Sequence, residues 1–391
     1  MSHPAIAPGV LLAPVEDGYV AYSTATDRLY RLNPVAALIA ELCDGRRSVD
    51  TIQSLVSPLL PDGRQSEVDH WIEGAIQEGL LTTSADTALG PSALDSDQLA
   101  DLAGRLREHG KTQTAFLCQQ QAAKLDPSEP WKWKTLGEMA HILGRRADAR
   151  LAYEHLLEIQ PDHAEVRHLL IALRDETPPE RVPDECIQQL YARFSTFYET
   201  QMRDELGYEG PERLLAAIHD VVGDRQLPSV LELGCGTGLF GQLLKPRALR
   251  LVGIDLSPEM VATAAERGLY DQLEVAEITR WLDDCRQTFD LIVACDTLIY
   301  FGDLNQVVGR AVKLLRPGGA IAFSVERTDS APFRLTDSGR YAHHPDHLRH
   351  VAESAGLRVA CLREEYMRME YGEEVIGQFA VMVLPDQSRP A

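Results

Sequence analysis

The segment Val230-Leu-Glu-Leu-Gly-Cys-Gly-Thr-Gly-Leu239 constrains the fold more than any other part of the chain. A short apolar run, Ser229 to Leu233, leads straight into Gly234, Gly236 and Gly238. Leu239, Phe240, Leu243 and Leu244 then recur at helical spacing. The pattern predicts a strand, a tight glycine turn and a helix start. With no Cβ in the way, backbone N–H groups in such a turn approach a ligand closely. A second apolar run, Arg250 to Leu256, carries Asp255 17 residues after Gly238. An acid about 20 residues beyond such a turn reaches ribose hydroxyls in nucleotide-binding α/β folds. The glycines alone also admit a dinucleotide reading, through Gly236, Gly238 and Gly241.

Together, Glu232-Leu-Gly-Cys-Gly-Thr-Gly238 and Gly253-Ile-Asp-Leu-Ser257 resemble the class I S-adenosylmethionine (SAM)-dependent methyltransferases. The acid ahead of the first glycine and the Cys-Gly-Thr-Gly core distinguish them from the Gly-x-Gly-x-x-Gly turn of nicotinamide enzymes. The resemblance implies SAM as cofactor. Gly234, Cys235, Gly236 and Gly238 are expected beneath its methionine and ribose, and Glu232 at its ammonium. Asp255 is expected on the ribose hydroxyls and Leu256 on one adenine face. Glu277 is expected at the adenine amino group, with Ile278 stacked on the ring. Asp296 follows the fourth strand, at the sheet edge where open α/β folds bind ligands. Each acid has a plainer reading as a solvated strand end.

The amphipathic stretch Leu190–Tyr198 is expected to fold over the cofactor as a lid, with Tyr191 or Tyr198 near the methionine carboxylate. Candidates on the acceptor side are Asp296, Tyr300, Glu326, Arg340, Tyr341 and His343. Arg340 and His343 offer donors to a carboxylate acceptor or act on a proton. The other reading is that residues 340–344 cap a helix starting near Pro345. The fourth strand ends Ala294-Cys-Asp-Thr-Leu298. It lacks both the Asn/Asp-Pro-Pro-aromatic run and the Pro-Cys nucleophile of base methylation.

Further apolar runs at Leu273–Ile278, Phe289–Cys295, Ala320–Val325, Leu357–Leu362 and Val375–Leu384 alternate with helical spacers. Such alternation implies a mostly parallel sheet covered on both faces. Arg316-Pro-Gly-Gly319 reads as a sharp turn before the fifth strand, and Glu370-Tyr-Gly-Glu373 as a hairpin turn. The expectation for residues 184–385 is a seven-stranded, Rossmann-like class I methyltransferase domain.

Ahead of it, residues 8–83 read as three short strands followed by three helices, an α+β domain of winged-helix shape. Asp17-Gly18 marks the first turn, and Asn33-Pro34 and Ser48 start helices. Arg28-Leu-Tyr-Arg-Leu-Asn-Pro, Glu41-Leu-Cys-Asp-Gly45 and Glu78-Gly-Leu-Leu81 resemble the PqqD-like domain. That resemblance implies recognition of the leader of a ribosomally made precursor peptide by strand addition. The expected peptide-binding residues are Leu29, Tyr30, Arg31 and Leu32 on the edge strand. Asp69, Trp71, Ile72 and Ile76 are expected to face the peptide from the third helix. A purely structural winged helix is the alternative.

Residues 96–175 carry a helical repeat. Trp133, Leu136, Gly137, Ala140, Gly144, Ala149, Tyr153 and Pro161 fit the tetratricopeptide pattern, and Leu102 precedes Leu136 by the 34-residue period. Such helices either hold peptide in a groove or act as a spacer. Tyr300-Phe-Gly-Asp-Leu304 and Ser338-Gly-Arg-Tyr-Ala-His343, among others, resemble bacterial tetratricopeptide-repeat methyltransferases over residues 96–384. A proline-rich linker, Asp175–Pro183, precedes the catalytic part.

Charge narrows the partners. The 391 residues carry a formal charge of −21 without a basic cluster, which disfavours nucleic acid. Seven scattered cysteines with no C-x-x-C pair suggest reduced cytoplasmic thiols and no metal site. No apolar run approaches the roughly 18 residues of a membrane span. The function expected is O- or N-methylation of a precursor peptide. The alternative is a small-metabolite methyltransferase with an N-terminal interaction scaffold. Oligomeric state is left open.

Overall fold

The computed structural model describes residues 3–15, 18–57, 60, 66–83, 95–108, 112–194, 198–200, 202–203, 206–330, 332–370 and 373–386. The turns expected at Asp17 and at Tyr371-Gly372 lie outside the described residues. The chain divides into two compact units, Met1–Gln160 and Pro161–Ala391. No described helix is long and apolar enough to cross a membrane.

The first unit opens with β1 (Ala5–Ile6), β2 (Val10–Val15), β3 (Gly18–Ser23) and β4 (Arg28–Leu32). Helices α1 (Pro34–Leu42), α2 (Val49–Val56) and α3 (Ser66–Gln77) follow, then β5 (Leu81–Thr82). Strands β2-β3-β4 form an antiparallel sheet with β4 at one edge, and β1 pairs with β5. The Asn33 side chain accepts from the Ala36 N–H at 2.8 Å, and Pro34 takes the first helical position, so α1 starts where its sequence says. Ser48 does the same for α2 through the Thr51 N–H. Ile39, Ile52, Val56, Val68 and Ile72 bury one stripe of each helix against Ala21 and Leu32.

Four longer helices complete this unit: α4 (Ser96–Glu108), α5 (Thr112–Leu125), α6 (Pro130–Ile142) and α7 (Arg146–Ile159). They pack as consecutive hairpins, α4 on α5 and α6 on α7. Leu102 and Leu136, 34 residues apart, are both buried. At Gly137 a Cβ would collide with the Tyr153 ring, so only glycine lets α6 and α7 approach this closely. The Lys132 ammonium is buried, bonded to Ser96 Oγ at 2.6 Å and paired with Asp97 at 2.8 Å and Asp126 at 3.1 Å, which ties α4 to α6.

The second unit begins with α8 (Ala164–Leu173), α9 (Asp184–Phe194), the helical turn α10 (Tyr198–Thr200) and α11 (Gly210–Val222). Helix α8 docks within this unit, where its His168 Nε2 lies 2.8 Å from the Gly339 carbonyl. The sheet is then built from β6 (Val230–Leu233), β7 (Leu251–Asp255), β8 (Gln272–Val275), β9 (Phe289–Ala294), β10 (Leu315–Arg327), β11 (Phe333–Leu335), β12 (Tyr341–His343), β13 (Arg358–Glu370) and β14 (Glu373–Val383). Between the strands lie α12 (Leu239–Leu244), α13 (Pro258–Glu266), α14 (Ile278–Asp284), α15 (Asn305–Ala311) and α16 (Pro345–Ser354).

Strands β8-β7-β6-β9-β10 run parallel, and β14 then β13 continue antiparallel beyond β10. These are the seven expected strands. Two short ones, β11 and β12, extend the end of β10 and make the sheet nine-stranded. Period-two alternation sorts the side chains. Leu231, Leu233, Ile292 and Phe323 fill the core on one face, and Val230, Leu291, Val293 and Ala322 the core on the other.

Two local expectations need correction. The third strand stops at Val275, not Ile278, because Glu277 caps α14. Residues 316–319 are not a separate turn. They form a register shift inside β10, with Gly318 at φ +74°.

Candidate active site

The turn after β6 places Gly234, Gly236 and Gly238 at φ +68°, +53° and +86°, all in the left-handed region that disfavours side chains. The space around them differs. A Cβ on Gly234 would strike Thr297, whereas one on Gly236 would meet no protein atom within 4 Å. Gly236 faces a cleft whose lining mixes apolar side chains with a few polar ones, the usual make-up of small-molecule sites. Gly234→Ala is expected to cost about 2 kcal/mol or more in the stability of this unit, combining left-handed strain with the Thr297 collision. Urea unfolding checks it, with Gly268→Ala as the control for strain without collision.

Asp255 ends β7 at the cleft wall. One carboxylate oxygen accepts from the Gly236 N–H at 2.8 Å and the other from the Ser257 N–H at 2.9 Å. The acid therefore fixes the glycine turn while its remaining lone pairs face the cleft. Burial raises its pKa, against those backbone donors. Leu256 and Met260 continue the wall, followed by Glu277 and Ile278. Glu277 is committed locally, accepting from the Thr279 N–H, the Thr279 hydroxyl and the Arg280 N–H at 2.9, 2.6 and 2.9 Å. Its first task is to cap α14, which the sequence reading did not foresee. Arg181 sits beside it, 3.8 Å from Glu277 and 2.5 Å from Asp184.

On the β9 side the lining is Tyr191, Tyr198, Cys295, Asp296, Thr297 and Tyr300. The Tyr191 and Tyr300 hydroxyls are 2.6 Å apart, and the Tyr198 ring meets Tyr191 edge-on at 6.0 Å. Of the stretch expected as a lid, residues 195–197 lie outside the described residues, while Tyr191 and Tyr198 line the cleft, with Ile187 of α9 beside them. Ahead of α9, the Val182 N–H donates to the Tyr300 carbonyl at 2.8 Å. Asp296 holds a left-handed backbone, φ +52°, a conformation Asp tolerates better than most residues.

Behind Asp296 lies an ion network that the sequence reading missed. The buried Arg368 reaches the Asp296 carboxylate with Nη1, at 3.0 and 3.2 Å, and Glu326 with Nη2. Glu370 is 3.6 Å from Arg368 and also pairs with Arg340, which lies 3.8 Å from Glu326. Nothing in the spacing of β13 singles out Arg368. It joins the site because β13 and β14 fold back beside β10.

Several expected positions fall elsewhere. Glu232 does not line the cleft: its buried carboxyl accepts from the Tyr270 hydroxyl at 2.8 Å, and burial pushes it up to about 8. Cys235 and Gly238 also turn away, Cys235 into the core and Gly238 under Arg267 and Tyr270. Arg340, Glu326 and Tyr341 stand outside the lining, and the Tyr341 hydroxyl donates to the Pro179 carbonyl. His343 is fully buried between Phe333 and His347. Burial and the neighbouring His347 push it down to about 3, so it is a neutral core residue and no carboxylate receptor. His344 caps α16, in line with the capping alternative.

In the first unit, Leu32 and Ile72 belong to the core and are 6% and 2% exposed, so they offer a peptide little surface. Leu29, Tyr30, Asp69, Trp71 and Ile76 are half-buried and Arg31 is exposed. Asp69 accepts from Gln53 Nε2 at 3.2 Å, joining α2 to α3.

The open space at Gly236, the backbone-held Asp255 and the apolar Leu256 and Ile278 beyond it fit a nucleoside-bearing cofactor. Among the described residues no cluster of three or more His, Cys, Asp or Glu is placed to hold a metal.

Residues 231–321 match the methyltransferase domain family, and residues 18–81 match coenzyme PQQ synthesis protein D (PqqD). The ubiquinone biosynthesis O-methyltransferase of Xanthomonas oryzae pv. oryzae is 28% identical over 182 residues, covering 40% of this chain and 74% of that protein. Nodulation protein S of Rhizobium tropici is 33% identical over 109 residues, 26% of this chain and 44% of its own length. Among solved structures, the N-methyltransferase NodS from Bradyrhizobium japonicum, in complex with S-adenosyl-l-homocysteine, is 22% identical. It covers 51% of this chain and 98% of its own, at a TM-score of 0.42. With its glycine turn, Asp255 and the 231–321 match, the chain is a SAM-dependent methyltransferase with a PqqD-like N-terminal domain.

Proposed function

We propose that this methyltransferase modifies a ribosomally synthesised precursor peptide. The leader binds along residues 8–83, and an oxygen or nitrogen of the core peptide is methylated in the domain 184–385. The observation that carries the reading is β4 at the sheet edge, with half-buried Leu29 and Tyr30, in the segment matching PqqD. An edge strand templates an added strand, and half-buried apolar side chains such as Trp71 and Ile76 supply the specificity. The helices between residues 96 and 175 are read as tetratricopeptide repeats.

SAM supplies an electrophilic methyl group when bound. The chain's residues have the tasks of holding and enclosing. Asp255 keeps the glycine turn in place and presents acceptors to ribose hydroxyls. Leu256 and Ile278 offer apolar faces to the adenine. Tyr191, Tyr198 and Tyr300 keep water from the reacting atoms, and Asp296 sets the polarity beside them.

Asp255→Ala is expected to weaken binding of S-adenosylhomocysteine by about 1–3 kcal/mol, read by isothermal titration, because ribose hydroxyls lose their acceptor. For the peptide, fluorescence polarisation of labelled leaders from short reading frames beside the gene is measured against the full chain. Saturable binding weakened at least tenfold by Trp71→Ala is the expected result. Equal turnover of a small acceptor with and without any leader overturns the proposal in favour of a small-metabolite enzyme.

A further inference from the structure

We infer that the β9 side of the cleft is built for an amine acceptor, a nitrogen that arrives as an ammonium ion, and not for a carboxylate. The inference rests on reading this cleft as the methyl-transfer site and names the class of group it takes.

The charge balance behind the wall carries the argument. Asp296, Glu326 and Glu370 face two guanidiniums, Arg340 and Arg368, and every one of these five groups is paired within the set. Asp296 and Glu370 alone balance the two guanidiniums, burial favours the protonated form of Glu326, and Asp296 is the set's member on the cleft wall. Arg181 is the one cation among the described lining residues. It lies on the other side, against Asp184 and Glu277. A carboxylate acceptor would therefore add a negative charge beside Asp296 with no cation left to receive it. Desolvating like charges together is unfavourable.

An ammonium ion meets the opposite environment. It finds the Asp296 carboxylate and, around it, the rings of Tyr191, Tyr198 and Tyr300, whose faces attract cations. Burial raises the pKa of all three phenols, so they stay neutral and add no competing charge. Once bound, the acceptor gives one proton to solvent water and becomes a neutral amine. Its lone pair then forms the N–C bond to the methyl carbon while the C–S bond breaks and its electron pair stays on sulfur. The positive charge passes from sulfur to the methylated nitrogen, still beside Asp296, so total charge is conserved.

The test uses two rigid probes of similar shape and opposite charge, benzylamine and benzoate. Each is titrated calorimetrically at pH 7.5 into the full chain saturated with S-adenosylhomocysteine. Benzylamine is expected to bind at least tenfold more tightly than benzoate. Asp296→Asn, which keeps a residue tolerant of the left-handed backbone, is expected to remove the difference while S-adenosylhomocysteine still binds. Equal binding, tighter benzoate or no binding of either probe overturns the inference. Failure of S-adenosylhomocysteine to bind the unaltered chain would instead defeat the reading of the cleft itself.

Discussion

Arg368→Met is expected to destabilise the unit 161–391 by about 3–5 kcal/mol, the usual cost of removing one partner from a buried ion pair. The side chain is buried, and its guanidinium reaches Asp296 and Glu326 directly and Glu370 at 3.6 Å. Methionine fills similar volume, so the loss is chiefly one of charge. Three carboxylates would then remain with Arg340 alone, and they would take up protons or draw in water. Urea unfolding of the full chain, followed by a probe in this unit, measures the cost. Adding Glu326→Gln to the same chain is expected to recover part of it, since one uncompensated charge disappears. A cost below about 1 kcal/mol would show that the network does not hold the sheet edge together. Asp296 depends on the same guanidinium. Loss of Arg368 is therefore expected to impair methyl transfer more than cofactor binding, which rests on residues around β6 and β7.

Elements whose causes are local were legible in the sequence. The glycine turn, Asp255 and the caps at Asn33 and Ser48 each depend on a few neighbouring residues, and each sits where its residue type requires. The alternation of strands and helices was equally plain, because a sheet buried on both faces needs apolar runs. What stayed hidden depends on distant pairing. Arg368 reaches Asp296 only because β13 and β14 return beside β10, and sequence spacing carries no trace of a contact 72 residues apart. The short β11–β12 hairpin turns Tyr341 and His343 into the core, although a motif reading placed both at the acceptor. The helix-capping role of Glu277 stayed hidden because it needed the end of β8 to be known. Arg340 shows the same effect in charge: it reads as an available cation in the sequence and is neutralised by Glu370 and Glu326 in the fold.

Glu232→Gln is expected to make the unit 161–391 more stable at alkaline pH and to leave it unchanged in acid. Glu232 lies in β6, 1% exposed, with the Tyr270 hydroxyl donating to its carboxyl. Burial first, then the neighbouring Asp255 charge, favour the neutral acid; the Tyr270 bond opposes them, and the pKa moves from 4.5 to about 8. The folded chain therefore keeps a proton that the unfolded chain releases above its ordinary pKa. Stability is complete below about pH 4.5, falls as pH rises across the window to about 8, and levels off above it. At ~1.36 kcal/mol per pKa unit, the loss across that window is on the order of 5 kcal/mol. Glutamine keeps an acceptor for Tyr270 and never acquires the charge. Urea midpoints at pH 4 and pH 8.5 decide the matter. The variant is expected to match the parent at pH 4 and exceed it at pH 8.5. A variant less stable than the parent at pH 8.5 would mean that the turn needs an ionised acid at this position, returning Glu232 to a direct part in holding the cofactor's ammonium.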